Sequence, residues 1–291
     1  VNLLITPTEI KAGIPDGIRA TTTKYDQPLL VMAQMVSRFW HRHCGRSFFP
    51  ELATRYFDAA GKQGLVIDDL LSITQVSVSD DNGATYTNLV VDTDYWATVW
   101  GDPNAPQSWN QLVVNPNSLV RGAWPAGRRA VKIVGLWGYA DDRATAWEDS
   151  TDEVESNPLA VGAVSLTVND ADGPDLLGVT PRFQAGQLLR IESEFAYCSA
   201  TNTATQVLII ARSRNGTVDA EHIQNKQIDI WRPPAPMKQA AMISTVRVLE
   251  RGFQAYGDAR ANAELGQLIY MRAMDPEALV LAEPYRLVTA G

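Results

Sequence analysis

The run His41-Arg42-His43-Cys44 is where side chains of metal-binding type stand together in this sequence. A zinc site needs several such ligands converging on one point. On a helix, residues two apart diverge by about 200° around the axis, so His41 and His43 cannot share a face. A helix C-terminus, whose free carbonyls favour partly cationic side chains, accounts for the run without a metal. Asp68-Asp69 and Asp80-Asp81 are the adjacent carboxylates that acid–base chemistry would use. Neighbours on a strand point to opposite faces, however, and turns favour Asp for its bonds to nearby backbone. Gly135-Leu136-Trp137-Gly138 lacks the third glycine of a dinucleotide loop. Gly61-Lys62 lacks the upstream glycine and the following Ser or Thr of a phosphate loop. No Gly-x-Ser-x-Gly elbow occurs, and Asn215-Gly216-Thr217, a glycosylation sequon by pattern, reads as a turn. The expectation is a chain without enzymatic activity, with no catalytic, metal-binding or cofactor-binding residues and no cofactor.

The elements that would carry any site must come from 291 residues, a length that suggests two domains or one domain with a large insertion. A hydrophobic content of 45% and a charged content of 20% fit a folded globular chain and argue against a disordered one. The 33 acidic and 25 basic residues give a net charge of −8, which opposes non-specific phosphate binding. The densest basic groups, Arg38/Arg42/Arg46 and Arg121/Arg128/Arg129, are short enough to be a solvated helix face and a turn. Cys44 and Cys198, far apart in sequence, read as two free thiols of a reducing compartment. No signal peptide is expected at VNLLITPTEIKAGI, and no run reaches the roughly 20 apolar residues of a membrane span.

Leu29, Met32, Ala33, Val36 and Trp40 share one face of a helix over 26–44, with Asp26 as cap, Pro28 in the first turn and Gly45 as left-handed stop. Gln34, Ser37, Arg38, His41 and Arg42 fall mainly elsewhere on it. From 52 to 138 short β-rich runs follow, at 54–57, 65–67, 73–79, 95–100, 111–114 and 131–137, with a hairpin at Asp80-Asp81-Asn82-Gly83. Residues 141–157, with seven acids and one arginine, read as an exposed linker. Further strands are expected at 163–168, 187–191, 195–199, 206–211 and 227–231, then a broadly apolar helix over 237–252. A short helix opens at Asp275-Pro276-Glu277 and closes at Pro284. Trp96, Trp100, Trp109, Trp124 and Trp137 suit a sheet core or a subunit interface.

The order of these parts resembles the head-to-tail connector (adaptor) family of tailed phages. The resemblance rests on Leu4-Ile5-Thr6-Pro7-Thr8-Glu9-Ile10-Lys11, then Cys44-Gly45-Arg46-Ser47-Phe48 running into Thr54-Arg55-Tyr56-Phe57-Asp58. Gly138-Tyr139, the proline-led Pro236-Met237-Lys238-Gln239-Ala240-Ala241, and the closing Leu281-Ala282-Glu283-Pro284-Tyr285-Arg286 complete it. It covers roughly 1–140 and 233–291. In the family pattern the helix follows the Gly-Tyr strand closely, whereas here about ninety residues intervene, so 158–232 is expected as a β domain inserted in a loop. That segment is similar to small β modules of other phage structural proteins through Phe183-x-x-Gly186-Gln187, Ile191-Glu192-Ser193-Glu194, Arg214-Asn215-Gly216-Thr217 and His222.

The expected fold is α+β: a small helical bundle core, an antiparallel β-rich segment and an inserted all-β domain. Its expected divisions are 1–157, 158–232 and 233–291. The resemblance implies a virion structural protein at the neck, synthesised in the host cytoplasm. It would be a homo-oligomeric ring, commonly of twelve, between the portal protein and a tail-side neck or tail-terminator protein. Viral DNA would pass through without specific binding, and no membrane is involved. Candidate subunit-interface residues are Met237, Ala241, Met242, Val246, Val248 and Leu249, the alternative being that this helix faces only its own core. Tyr285 and Arg286 are a candidate docking tail, the ring buried and the guanidinium meeting a carboxylate. The competing reading is a tail or baseplate binding module whose β domain recognises a carbohydrate or another virion protein.

Overall fold

In a computed structural model of the chain, residues 2–14, 25–102, 104–253, 259–262, 267–270 and 275–287 are described. The fold is mixed α+β with two antiparallel six-stranded sheets. The chain divides into two compact units that do not follow chain order. One takes Val1–Gly45, Glu148–Arg212 and Asp219–Gly291; the other takes Arg46–Trp147 and Ser213–Val218. The strands read from 158–232 therefore group with the helices, apart from the short segment 213–218.

The second of these units is built on β1 (Glu51–Ala59), β2 (Gly64–Val78), β3 (Thr87–Leu89), β4 (Tyr95–Thr98), β5 (Trp109–Val114) and β6 (Gly127–Trp137), in the order β1-β6-β2-β5-β4 with β3 on β2. The runs at 65–67 and 73–79 are one strand rather than two. Register shifts within β2 absorb the polar residues between them while it pairs with β5 and β6. Asn82 and Gly83 take positive φ at the turn into β3, as an Asn-Gly turn requires. Leu70, Val76, Leu112, Val131, Ile133, Trp124 and Trp137 form its core. Trp124 and Trp137 each satisfy the indole N–H on a backbone carbonyl, of Leu112 and Ala53 respectively. Trp109 is half-buried, and Trp96 and Trp100 are exposed.

The other unit begins with α1 (Pro7–Gly13), which sequence reading left as an unassigned starting segment. Its signal was present: Thr6 and Glu9 form a reciprocal capping box around Pro7. Next, α2 (Asp26–Cys44) ends at Gly45 with φ 69°, but Tyr25 occupies the N-cap and makes no side-chain cap bond, so Asp26 is the first helical residue instead of the cap. Leu29, Ala33, Val36 and Trp40 are buried. So is Ser37, assigned from sequence to the outer side, because its hydroxyl accepts the Leu4 amide at 2.9 Å.

Beyond them lie β7 (Trp147–Glu153), β8 (Ser165–Thr167), β9 (Leu188–Ile191), β10 (Glu194–Asn202), β11 (Val207–Ala211) and β12 (Gln227–Trp231), in the order β7-β12-β9-β10-β11-β8. The acidic stretch expected as an exposed linker supplies edge strand β7. Glu148, Ser150 and Asp152 alternate inward along it and are buried. Acids can occupy such positions when arginines and backbone amides meet them. Phe183, Leu189, Ile191, Leu208, Ile228 and Ile230 form the core on this sheet, each such side chain contributing about 1.5–3 kcal/mol. Finally come α3 (Ala235–Phe253), the ladder β13 (Ala259–Asn262) with β14 (Gln267–Tyr270), α4 (Pro276–Ala282) and a 3₁₀ turn at Glu283–Tyr285. Asp275 caps α4 by accepting the Glu277 amide at 2.9 Å. Helix α3 packs on both α2 and α4.

Candidate functional site

Helix α3 turns Met237, Ala240, Ala241, Thr245 and Leu249 inward, and all five are buried. Spacings of three and four residues place them on one side of the helix. Of the six candidate interface residues, Met237, Ala241 and Leu249 thus belong to the unit's own packing. Met242, Val246 and Val248 are half-buried. The Met242 thioether covers Gly13 so closely that a Cβ there would lie 2.5 Å from its methyl group.

The tail closes against the same unit. Tyr285 is buried, the Leu287 amide donates to the Cys44 carbonyl at 2.8 Å, and the Cys44 thiol faces the Ala282 carbonyl at 4.0 Å. Arg286 stays half-exposed, its guanidinium 3.4 Å from the Glu283 carboxylate. Trp40 donates its indole N–H to Ser244 at 3.3 Å, joining α2 to α3.

The residues first examined for chemistry are drawn apart. His41 is half-buried and its pKa falls to about 4 through desolvation, whereas His43 stacks on Phe39 at 5.7 Å. Among the described residues no group of three or more His, Cys, Asp and Glu is placed to hold a metal ion. Cys44 and Cys198 are buried and form no disulfide, and burial pushes the Cys198 thiol up to about 11. Asp68 and Asp69 do point apart: Asp68 meets Arg55 at 2.7 Å, while Asp69 is buried 3.5 Å from Arg46. Burial raises the Asp69 pKa to about 6, outweighing the nearby guanidinium. Asp80 pairs with Arg121, whose hydrogen bond lowers its pKa. Asp81 organises the hairpin turn by accepting from Ser79, Ala84 and Thr85, which holds its carboxyl well below the usual range. Asp68-Asp69 thus form ion pairs on the central strand β2, and Asp80-Asp81 serve the turn that follows it.

Sequence reading did not find the buried charge clusters around the second sheet. Glu194 receives both Arg212 Nε at 2.9 Å and Nη2 at 2.5 Å, with Asp219 a further 2.9 Å from Arg212. His222, itself buried, stands between Glu192 and Glu194, with Nδ1 at 2.8 Å and Nε2 at 3.0 Å. Arg232 joins Glu148 at 2.5 Å and Asp175, and Arg182 joins Asp170 at 3.2 Å and the Thr151 carbonyl at 2.8 Å. Partners lie up to 84 residues apart in these clusters, so no local spacing announces them. A second feature was legible and passed over: Val31, Met35 and Phe39 recur every fourth residue on the outer face of α2.

Two segments that carried the resemblance meet in the other unit. The Tyr139 amide donates to the Ser47 carbonyl at 2.8 Å, and the Arg46 guanidinium lies 4.3 Å from the centre of the Tyr139 ring. Gly138, at φ 148°, passes so near Phe49 that a Cβ would lie 2.6 Å from its carbonyl oxygen. Compared with known proteins, the chain matches no family model, no curated protein and no solved structure. What the fold defines is a mixed α+β chain with two antiparallel six-stranded sheets, α3 packed on both α2 and α4, and buried charge clusters paired internally.

Proposed function

We propose that this chain is a virion structural protein, a head-to-tail connector subunit that forms a ring between a portal and a tail-side neck protein. In this reading it performs no catalysis, and DNA passes through the ring without specific contact. The observation that carries it is the joining of distant segments of the resemblance. Cys44 is hydrogen-bonded to Leu287, the residue that follows the closing Pro284-Tyr285-Arg286 run, and Ser47 and Gly138-Tyr139 share the Ser47–Tyr139 bond. Sequence features that serve one scaffold are expected to satisfy one another's backbone groups in this way. Under this reading α2, α3 and α4 are the helical core, and 158–232 is a β module inserted between the Gly-Tyr strand and α3.

Ring closure needs two unlike patches on each subunit. With Met237, Ala241 and Leu249 buried in the monomer, α3 can offer only its half-buried margin, Val246 and Val248 above all. Electron microscopy of particles carrying a labelled copy of this chain tests the assignment. The expected result is a closed ring at the neck, of twelve subunits. Density at the distal tail tip would replace this reading with the tail or baseplate one.

A further inference from the structure

We infer that the outer face of α2 is a docking surface for a second copy of this chain, which it meets through the acidic, leucine-tipped loop between β8 and β9. The inference rests on the ring reading above and names the two unlike patches. Val31, Met35 and Phe39 stand at four-residue spacing and are 55%, 50% and 39% exposed. They lie opposite the buried Leu29/Ala33/Val36/Trp40 face, so folding of the monomer does not use them. Phe39 is held edge-on to Trp40 at 5.1 Å and stacked on His43, which fixes it as a rigid ridge. Arg38 and Arg42, both exposed, run along one side of the stripe, and among the described residues neither is given an ion pair. An apolar ridge with two exposed guanidiniums, one turn apart, along one side asks for a surface that is apolar and acidic.

The same unit carries such a surface. Leu176 and Leu177 are 65% and 72% exposed at the tip of the loop. The tip is preformed: the buried Asp175 carboxylate accepts the Leu177 amide at 3.0 Å and the Val179 amide at 2.7 Å. Thr151 donates to the Pro174 carbonyl at 3.1 Å, which fastens the loop beside β7. On the far side of Thr151 an open depression of about 490 Å³ is lined by Asp149, Glu153 and Asp170, the last of these paired to Arg182, and Asp172 is exposed on the loop itself. The patches are complementary in charge and both apolar at their centres. Packing α2 against α2 would instead gather four guanidiniums with no acid on the exposed face of either helix. The contact is therefore head-to-tail, the kind that closes into rings.

Cysteine pairing on the full chain tests the contact, because both native thiols are buried. Met35→Cys combined with Leu177→Cys, concentrated and mildly oxidised, should give a ladder of disulfide-linked dimers, trimers and higher species. Each single variant should stay at the wild-type background. A charge arm uses exposed positions only: Arg38→Glu/Arg42→Glu and Glu153→Lys/Asp172→Lys should each weaken self-association roughly tenfold or more in sedimentation. An equal mixture should recover it, since every contact in an alternating assembly is then oppositely charged. No ladder at any concentration, dimers from Met35→Cys alone, or a mixture that fails to recover would each overturn the inference. A ladder from a chain that microscopy does not place at the neck keeps this contact and removes the connector reading. A neck ring unaffected by either charge variant does the reverse.

Discussion

The Leu287 amide donates to the Cys44 carbonyl at 2.8 Å, tying the chain's closing segment to the end of α2. The bond occupies a carbonyl in the last turn of the helix, where intrahelical donors run out. Beside it Tyr285 is buried. Tyr285→Ala should destabilise this unit by about 3 kcal/mol, the usual cost of emptying a buried aromatic site. Truncation after Glu283 should cost at least as much, since it also frees the Cys44 carbonyl. Thermal unfolding checks both, and melting temperatures equal to wild type would count against the docked tail.

Gly138→Ala should be more harmful than a surface glycine substitution. Its φ of 148° and the 2.6 Å approach of a Cβ to the Phe49 carbonyl oxygen mean that backbone must move. A loss of about 2 kcal/mol or more is expected, together with exposure of Tyr139. Tyr139→Phe would be a milder control, keeping the ring under Arg46 and removing only the hydroxyl bonds to Gln107 and Asp141.

Asp69 should impose a pH dependence of unusual sign. Burial raises its pKa from 3.8 to about 6 in the folded chain, so between these values the folded state binds more protons than the unfolded state. Its favourable contribution is present below pH 3.8 and is lost as pH rises through about 6, amounting to ~3 kcal/mol. Urea unfolding of wild type and Asp69→Asn at several pH values should show this component only in the wild type. Parallel pH profiles would refute the assignment.

Removing one partner of the buried Arg212–Glu194 pair should be costly. Both side chains are nearly inaccessible, so Arg212→Ala leaves the buried Glu194 carboxylate, beside His222, without its guanidinium. The expected loss is about 3–5 kcal/mol. Arg212→Met/Glu194→Gln should be less damaging than Arg212→Ala alone, because the buried Glu194 charge goes with its guanidinium and only the more exposed Asp219 loses an ion-pair partner. Denaturant unfolding of the set reads the difference, and a double variant worse than the single would show that the pair is not the source of the cost.

What the sequence determined by itself was local. The apolar spacing Leu29–Ala33–Val36–Trp40 and the left-handed Gly45 set α2, and the Asp-Asn-Gly turn set the β2–β3 hairpin, because these depend on contacts within a few residues. The Thr6–Glu9 capping box was equally local and equally legible. Tertiary structure alone decided β7. Its alternating acids look like linker until Arg182 and Arg232, contributed from 30 to 84 residues away, make burial of Asp152 and Glu148 tolerable. It also decided that half of the α3 candidates are core. A two-sided apolar helix carries no record of which side its own chain will cover, and the side that remains open is set by α1, α2 and α4 packing around it. For α2 the four-residue repeat Val31–Met35–Phe39 was legible in the sequence, and what the folded chain added is that this stripe stays uncovered.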